Sequence, residues 1–146
     1  MITEIEQPTL DIDWFFTNNE EIAFLASGGG KLPSSVAKSS ENLKVLSSFF
    51  EDLTEKSDII LNPNLNKRIG NSDEMYLDSF LSMAKKGLFS YDRTILNNFS
   101  DTNYHLVAQP VSPLKIHELP QEIAEMLMEI KYSGSMEATL DIASLL

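Results

Sequence analysis

Asp11 and Asp13 are two residues apart in an alternating stretch, so their carboxylates share one face of a strand. Two acids so placed can hold a hard cation or divide acid and base roles. No further oxygen ligands follow at a supporting spacing, and alternating acids on the wet face of an edge hairpin also discourage edge-to-edge aggregation. Gly28, Gly29 and Gly30 precede Lys31. A phosphate-binding loop needs glycine where Leu25 stands and a hydroxyl where Leu32 stands, so that chemistry is not expected. The glycines instead suit a strand-to-helix connection whose exposed backbone can meet a partner. His105 and His117 belong to no metal or hydrolase motif. Glu118, Glu122, Glu125 and Glu129 follow one another at spacings of four, three and four, which makes one stripe down a helix. A solvated face is the ordinary reason for such a stripe. Its functional counterpart is an acidic ridge that docks into a basic cleft. Phe15 falls on the strand face of Asp11 and Asp13, where it is either covered by another element or exposed as a binding anchor.

The elements that position these residues follow from periodicity. Leu10, Ile12, Trp14 and Phe16 alternate with Asp11, Asp13 and Phe15. Thr17-Asn18-Asn19-Glu20 is a turn, and Glu21 to Ala26 is a second extended run, which together predict a β-hairpin. A helical pattern covers residues 34–55, with Ser34 or Ser40 able to cap it and its first turns able to form a separate piece. Asp58 to Leu61 is a possible short strand, and Asn62 to Asn71 a loop. Ser72 is expected to cap a helix with Asp73 and Glu74 in its first turn, Lys85 and Lys86 in its last, and Gly87 at its end. Leu88 to Asn103 reads as polar and irregular, and Tyr104 to Gln109 as a strand ended by Pro110. A connector follows, with a possible strand at 114–116. A third helix runs from Pro120 to about Tyr132, and a final strand covers 136–142. The order β-β-α-(β)-α-β-(β)-α-β, without strict alternation, predicts one α+β domain over residues 1–146. Its expected core is an antiparallel sheet of about four to six strands, with three helices on one side.

Composition limits what such a chain does. It has 146 residues, no cysteine and a net charge of −11. The missing thiols exclude disulfides, thiolate metal sites and a cysteine nucleophile, and fit a reducing cytoplasm. The start carries neither a positive region nor an apolar run, so no signal peptide is expected, nor any membrane span. The charge repels nucleic-acid phosphates and anionic membranes and attracts a basic protein. Six acids and no base lie in residues 1–30, and six acids against Lys131 in 116–146, while 31–115 is neutral. If the two ends of the chain meet, one face is strongly negative.

Asp13-Trp14-Phe15-Phe16, the run Ile22-Ala23-Phe24-Leu25-Ala26-Ser27-Gly28-Gly29-Gly30, Lys86-Gly87-Leu88-Phe89-Ser90-Tyr91-Asp92 and Leu119-Pro120-Gln121-Glu122-Ile123 together resemble acidic cytoplasmic immunity proteins of bacterial toxin systems. The resemblance covers about half the chain and carries over no catalytic residue. It implies a non-enzymatic, cofactor-free binding protein, monomeric or homodimeric, that occludes a basic toxin domain. The contact residues expected are Asp11, Asp13, Phe15, Gly28 to Gly30, Glu118, Glu122, Glu125 and Glu129. Two alternatives remain at this point. One is a secretion chaperone for an effector. The other is a small hydrolase using Asp11, Asp13 and His105.

Overall fold

In the computed structural model, residues 1–64 and 74–146 are described, apart from the side chains of residues 74–76. The predicted hairpin is present as β1 (Asp13–Thr17) and β2 (Ile22–Ala26), with Asp13 opposite Ala26 and Thr17 opposite Ile22. Its turn is built as the asparagines suggest. Asn19 takes φ +80°, and Asn18 Oδ1 accepts from the N–H groups of Glu20 and Glu21. Residues 10–12 lie opposite residues 27–29, beyond the end of β2: Ser27 N–H donates to the Ile12 carbonyl and Gly29 N–H to the Leu10 carbonyl, while the Ser27 hydroxyl accepts from Ile12 N–H in place of a backbone carbonyl.

The remaining strands are β3 (Ile59–Leu61), β4 (Phe89–Arg93), β5 (Asn103–Pro110) and β6 (Thr139–Asp141). The sheet order is β1-β2-β4-β5-β3, and β6 pairs with the first residues of β5. The expectation of a purely antiparallel sheet is corrected here, since β2 and β4 are parallel. The helical segment between them carries the chain back to the same end of the sheet before β4 begins. β4 also overturns the reading of 88–103 as irregular throughout. Ser90, Asp92 and Arg93 hide a strand that is buried along its whole length. Each has an internal partner: Ser90 Oγ donates to the Phe80 carbonyl at 2.8 Å, Asp92 Oδ1 accepts from Arg93 N–H, and the guanidinium donates to backbone carbonyls.

Four helices complete the described fold: α1 (Ser34–Ala37), α2 (Ser40–Asp52), α3 (Glu74–Lys85) and α4 (Gln121–Met128). The predicted 34–55 helix is thus two pieces. Neither expected serine caps the longer one. The Ser39 hydroxyl does so, accepting from Asn42 N–H at 3.1 Å. Ser39→Ala is expected to cost about 1 kcal/mol, measured as a shift in the urea midpoint. The loop expected at 62–71 is described only as far as Asn64, and the expected cap Ser72 with Asp73 lies outside the described residues. Gly87, at φ +106°, ends α3 as predicted. α4 stops at Met128, short of the expected Tyr132, because the Ile130 carbonyl and Tyr132 N–H pair with Thr17 at the outer edge of β1. The last strand shrinks to Thr139–Asp141, followed by a short 3-10 turn.

Both faces of the sheet are covered. Phe15, Phe24 and Val107 pack with Leu46 and Phe50 of α2, Phe80 and Met83 of α3, and Ile123 and Leu127 of α4. Trp14, Phe16, Leu25, Tyr91 and Tyr104 pack on the other face beneath α1, the first residues and the tail at Ile142. Phe15 is 0% exposed, with its ring 4.8 Å from that of Phe50 and 5.7 Å from that of Phe24. Its place among the partner contacts is therefore corrected. An aromatic facing α2 through the sheet interior is core, and cannot reach a partner.

Candidate functional site

The hairpin sets Asp13 at the first position of β1, with Asp11 two residues earlier, and α2 brings Glu51 across from them. The three acids line an open groove of about 350 Å3 between β1 and α2, together with Lys44, Ser47 and Ser48. Asp11 is held in place, its Oδ1 accepting from Gly28 N–H at 2.9 Å. The Asp13 carboxyl is pushed up to about 6, first by desolvation against its neighbours and then by the charges of Asp11 and Glu51. One base against three acids leaves the groove negative.

A second carboxylate of raised pKa lies in the same cross-strand row. Asp13 is opposite Ala26, Ala26 opposite Asp92, and Asp92 opposite His105. Residues opposite one another project to the same face, here the face carrying α2 and α3. Only the methyl group of Ala26 intervenes between the two aspartates, whose backbones are two strand spacings apart, about 10 Å. Asp92 is 7% exposed. Burial pushes its carboxyl up to about 7, against the hydrogen bond from Arg93 N–H. Asp11 raises it further, and the Arg93 charge offsets part of the rise. His105 is buried, with Nδ1 3.0 Å from Thr94 Oγ1.

Asp11, Asp13 and His105 do not form one site. Two strands separate Asp13 from His105, placing their backbones about 14 Å apart and beyond any shared proton. His117 is exposed in a 3-10 turn whose Ile116 N–H donates to Glu20, so it sits near the hairpin turn at the far end of the strands from His105. Among the described residues no group of three His, Asp or Glu side chains has the geometry to hold a metal ion.

The glycine loop is not the open contact loop expected of it. Gly30 is buried and Gly28 and Gly29 are half-buried. Gly28 and Gly29 adopt φ +50° and +77°. A Cβ on Gly30 would run into the Arg93 side chain, and one on Gly29 into the Pro8 carbonyl at 2.7 Å. The loop is glycine because it closes over other parts of the chain.

The chain ends do meet, with Met1, Ile2 and Leu146 lining one cavity of about 330 Å3. The acids of the two ends nevertheless form no single sheet of charge. Glu118, Glu122, Glu125 and Glu129 are exposed, but α4 follows a segment that bonds to the hairpin turn, whereas Asp11 and Asp13 lie at the opposite end of β1. Glu129 pairs with Lys38 at 3.6 Å, Glu118 accepts from Lys115 N–H, and Glu125 accepts from Gln121 Nε2. Leu43 of α2 lines both the Asp11–Asp13 groove and the crevice beside Glu129, so the two acid groups flank one helix. Sequence reasoning missed Glu51, Asp92 and Arg93. The alternation of Phe89 and Tyr91 with Ser90 and Asp92 was the available signal for β4.

This arrangement defines an α+β protein with a curled mixed sheet and an acidic groove at its hairpin edge. No helix among the described residues is long and apolar enough to cross a membrane. Compared with protein-family models, with curated proteins and with solved structures, the chain matches none.

Proposed function

We propose that this chain is a non-enzymatic binding protein of the cytoplasm: an immunity protein that holds a basic bacterial toxin domain and occludes its working surface. The observation that supports this reading is the groove of Asp11, Asp13 and Glu51. Three carboxylates share it, and one of them is raised to about 6 by desolvation and by the other two. Gathering like charges costs the free protein stability, and a lysine or arginine from a partner returns it as attraction. The wider charge of −11 steers such a partner from a distance. The exposed Glu122, Glu125 and Glu129 add to that field from the other side of α2.

The test is protection. Basic toxin domains of the host strain are expressed in sensitive cells with and without this chain. The expected result is survival with the wild-type protein, and loss of survival with Asp11→Lys/Glu51→Lys at unchanged circular dichroism. With the purified pair, Glu122→Lys/Glu125→Lys/Glu129→Lys slows association about tenfold at low salt and leaves dissociation nearly unchanged. Failure to protect against any basic toxin of the host removes the reading.

A further inference from the structure

The groove between β1 and α2 meets the sheet at its edge rather than on one face. Its lining includes Asp11, Ile12 and Asp13 in succession, although alternation sends Ile12 to the face opposite the two acids. Further along β1 the same edge is taken. Phe15 is covered by Phe50, and Thr17 bonds through its N–H to the Ile130 carbonyl and through its carbonyl to Tyr132 N–H, so the chain's own 130–132 segment lies parallel to β1 there. Ile12 bonds inward instead, its carbonyl accepting from Ser27 N–H. Backbone groups alternate between the two edges of a strand, so those of Asp11 and Asp13 point outward, to the side of Thr17. Among the described residues the N–H and C=O groups of Asp11 and Asp13 have no hydrogen-bond partner. The facing wall is Leu43, Lys44, Ser47, Ser48 and Glu51, one stripe of α2 whose two serines are too short to close the gap. That stripe is about 12 Å long, the length of three or four extended residues.

We infer that an extended segment of the basic partner adds to the sheet at this edge, lying between β1 and α2 with its backbone paired to Asp11 and Asp13 and with lysine or arginine at alternate positions. This inference rests on the function proposed above and specifies how the partner is held. Charge complementarity selects the segment, since the groove sets three acids against Lys44 alone. Charge by itself fixes no register, and exposed ion pairs are screened by salt. Main-chain bonds hold the segment as a strand, and the two-residue period shared by both strands then brings one cation to Asp11 and the next to Asp13. The pairing of residues 130–132 with Thr17 is the same device used within the chain.

The probes are three short fluorescein-labelled peptides that alternate Lys and Ser: one unmodified, one N-methylated at every Lys and one at every Ser, followed by fluorescence anisotropy. All three carry the same charge, and each methylation removes only the backbone donors on one edge of the peptide. One methylated peptide is expected to bind the wild-type protein about tenfold more weakly than the unmodified one, the worth of one or two main-chain hydrogen bonds, while the other keeps its affinity. Saturation with the unmodified peptide is expected to slow hydrogen exchange at the Asp11 and Asp13 amides about tenfold. Asp11→Asn/Glu51→Gln weakens the unmodified peptide. Equal affinities for the two methylated peptides, or unchanged exchange at those amides, sink this inference, and the basic-partner reading stands as long as the acid changes still weaken binding. If the acid changes leave binding unaffected, both fail. A wild-type dimer in sedimentation whose Asp11 and Asp13 amides are protected without peptide overturns the inference by giving the edge to a second copy.

Discussion

Between pH 8 and pH 5 this protein gains stability, and its thermal midpoint rises by about 10 °C. The cause is Asp92. Its carboxyl is held at about 7 in the fold, against 3.8 as the ordinary value. Below pH 3.8 both folded and unfolded chains carry the proton, and the stability is fully present. As the pH rises towards 7, the unfolded chain has released its proton while the folded chain keeps it, so each step costs folding free energy until the folded carboxyl also ionises. Stability therefore falls as pH rises through this window. A displacement of this size is worth about 4 kcal/mol across the whole window, and about 2–3 kcal/mol of that lies between pH 5 and 8. Asp13, held at about 6, acts in the same direction. Its contribution is smaller, because the residue is exposed and water screens it. Glu6 and Asp141 run the other way. Hydrogen bonds from Thr3 and from Thr102 lower them, so their stabilisation is lost only as the pH falls through their own lowered values, outside this window.

Melting curves by circular dichroism at constant ionic strength check this. Asp92→Asn keeps the shape and removes most of the rise, and Asp13→Asn removes the smaller part. A midpoint that is flat or lower at pH 5, or a full rise that persists in Asp92→Asn, contradicts the assignment. Asp11 raises both carboxyls. On the function proposed above, a cation docked against Asp11 relaxes both, and partner binding near pH 7 releases protons.

The hairpin was legible because three signals agree over residues 10–26: alternation, two asparagines at the turn and apolar runs of strand length. β4 was not, because a strand buried on both faces normally reads as an apolar run. Phe89-Ser90-Tyr91-Asp92-Arg93 instead buries three polar side chains whose partners lie far away in sequence or on the backbone. The end of α4 was missed for a related reason. Its apolar spacing continues to Ile130, but Ile130 serves the core while its carbonyl bonds Thr17. No periodicity carries that information. Asp11 and Asp13 were visible as a pair, whereas Glu51 joins them only because α2 lies along β1, a tertiary fact. Phe15 shows the same limit: its strand face was readable, but the cover supplied by Phe50 was not.

Arg93→Met is expected to cost about 3 kcal/mol of unfolding free energy. The side chain is 2% exposed. Nη1 donates to the carbonyls of Asn98 and Asp101, and Nη2 to those of Leu96 and Gly28. Hydrogen bonds from a charged donor are worth more than neutral ones, and here a single fork ties the glycine turn to the 94–102 loop. Arg93→Lys retains the charge but not the planar fork, and recovers only part of the loss. The arginine also explains Gly30. Its Nε has no partner among the described residues and lies against Gly30, where a methyl group would meet Cδ, Nε and Cζ of a side chain that four hydrogen bonds prevent from moving. Gly30→Ala is therefore expected to cost about 2 kcal/mol with Arg93 in place, and close to nothing in an Arg93→Ala background. Urea unfolding of the two single variants and the double variant measures this coupling. Additive costs would mean that Gly30 is needed for its own backbone rather than for the arginine beneath it. Strong non-additivity would show that the loop is glycine so that a guanidinium can pass under it.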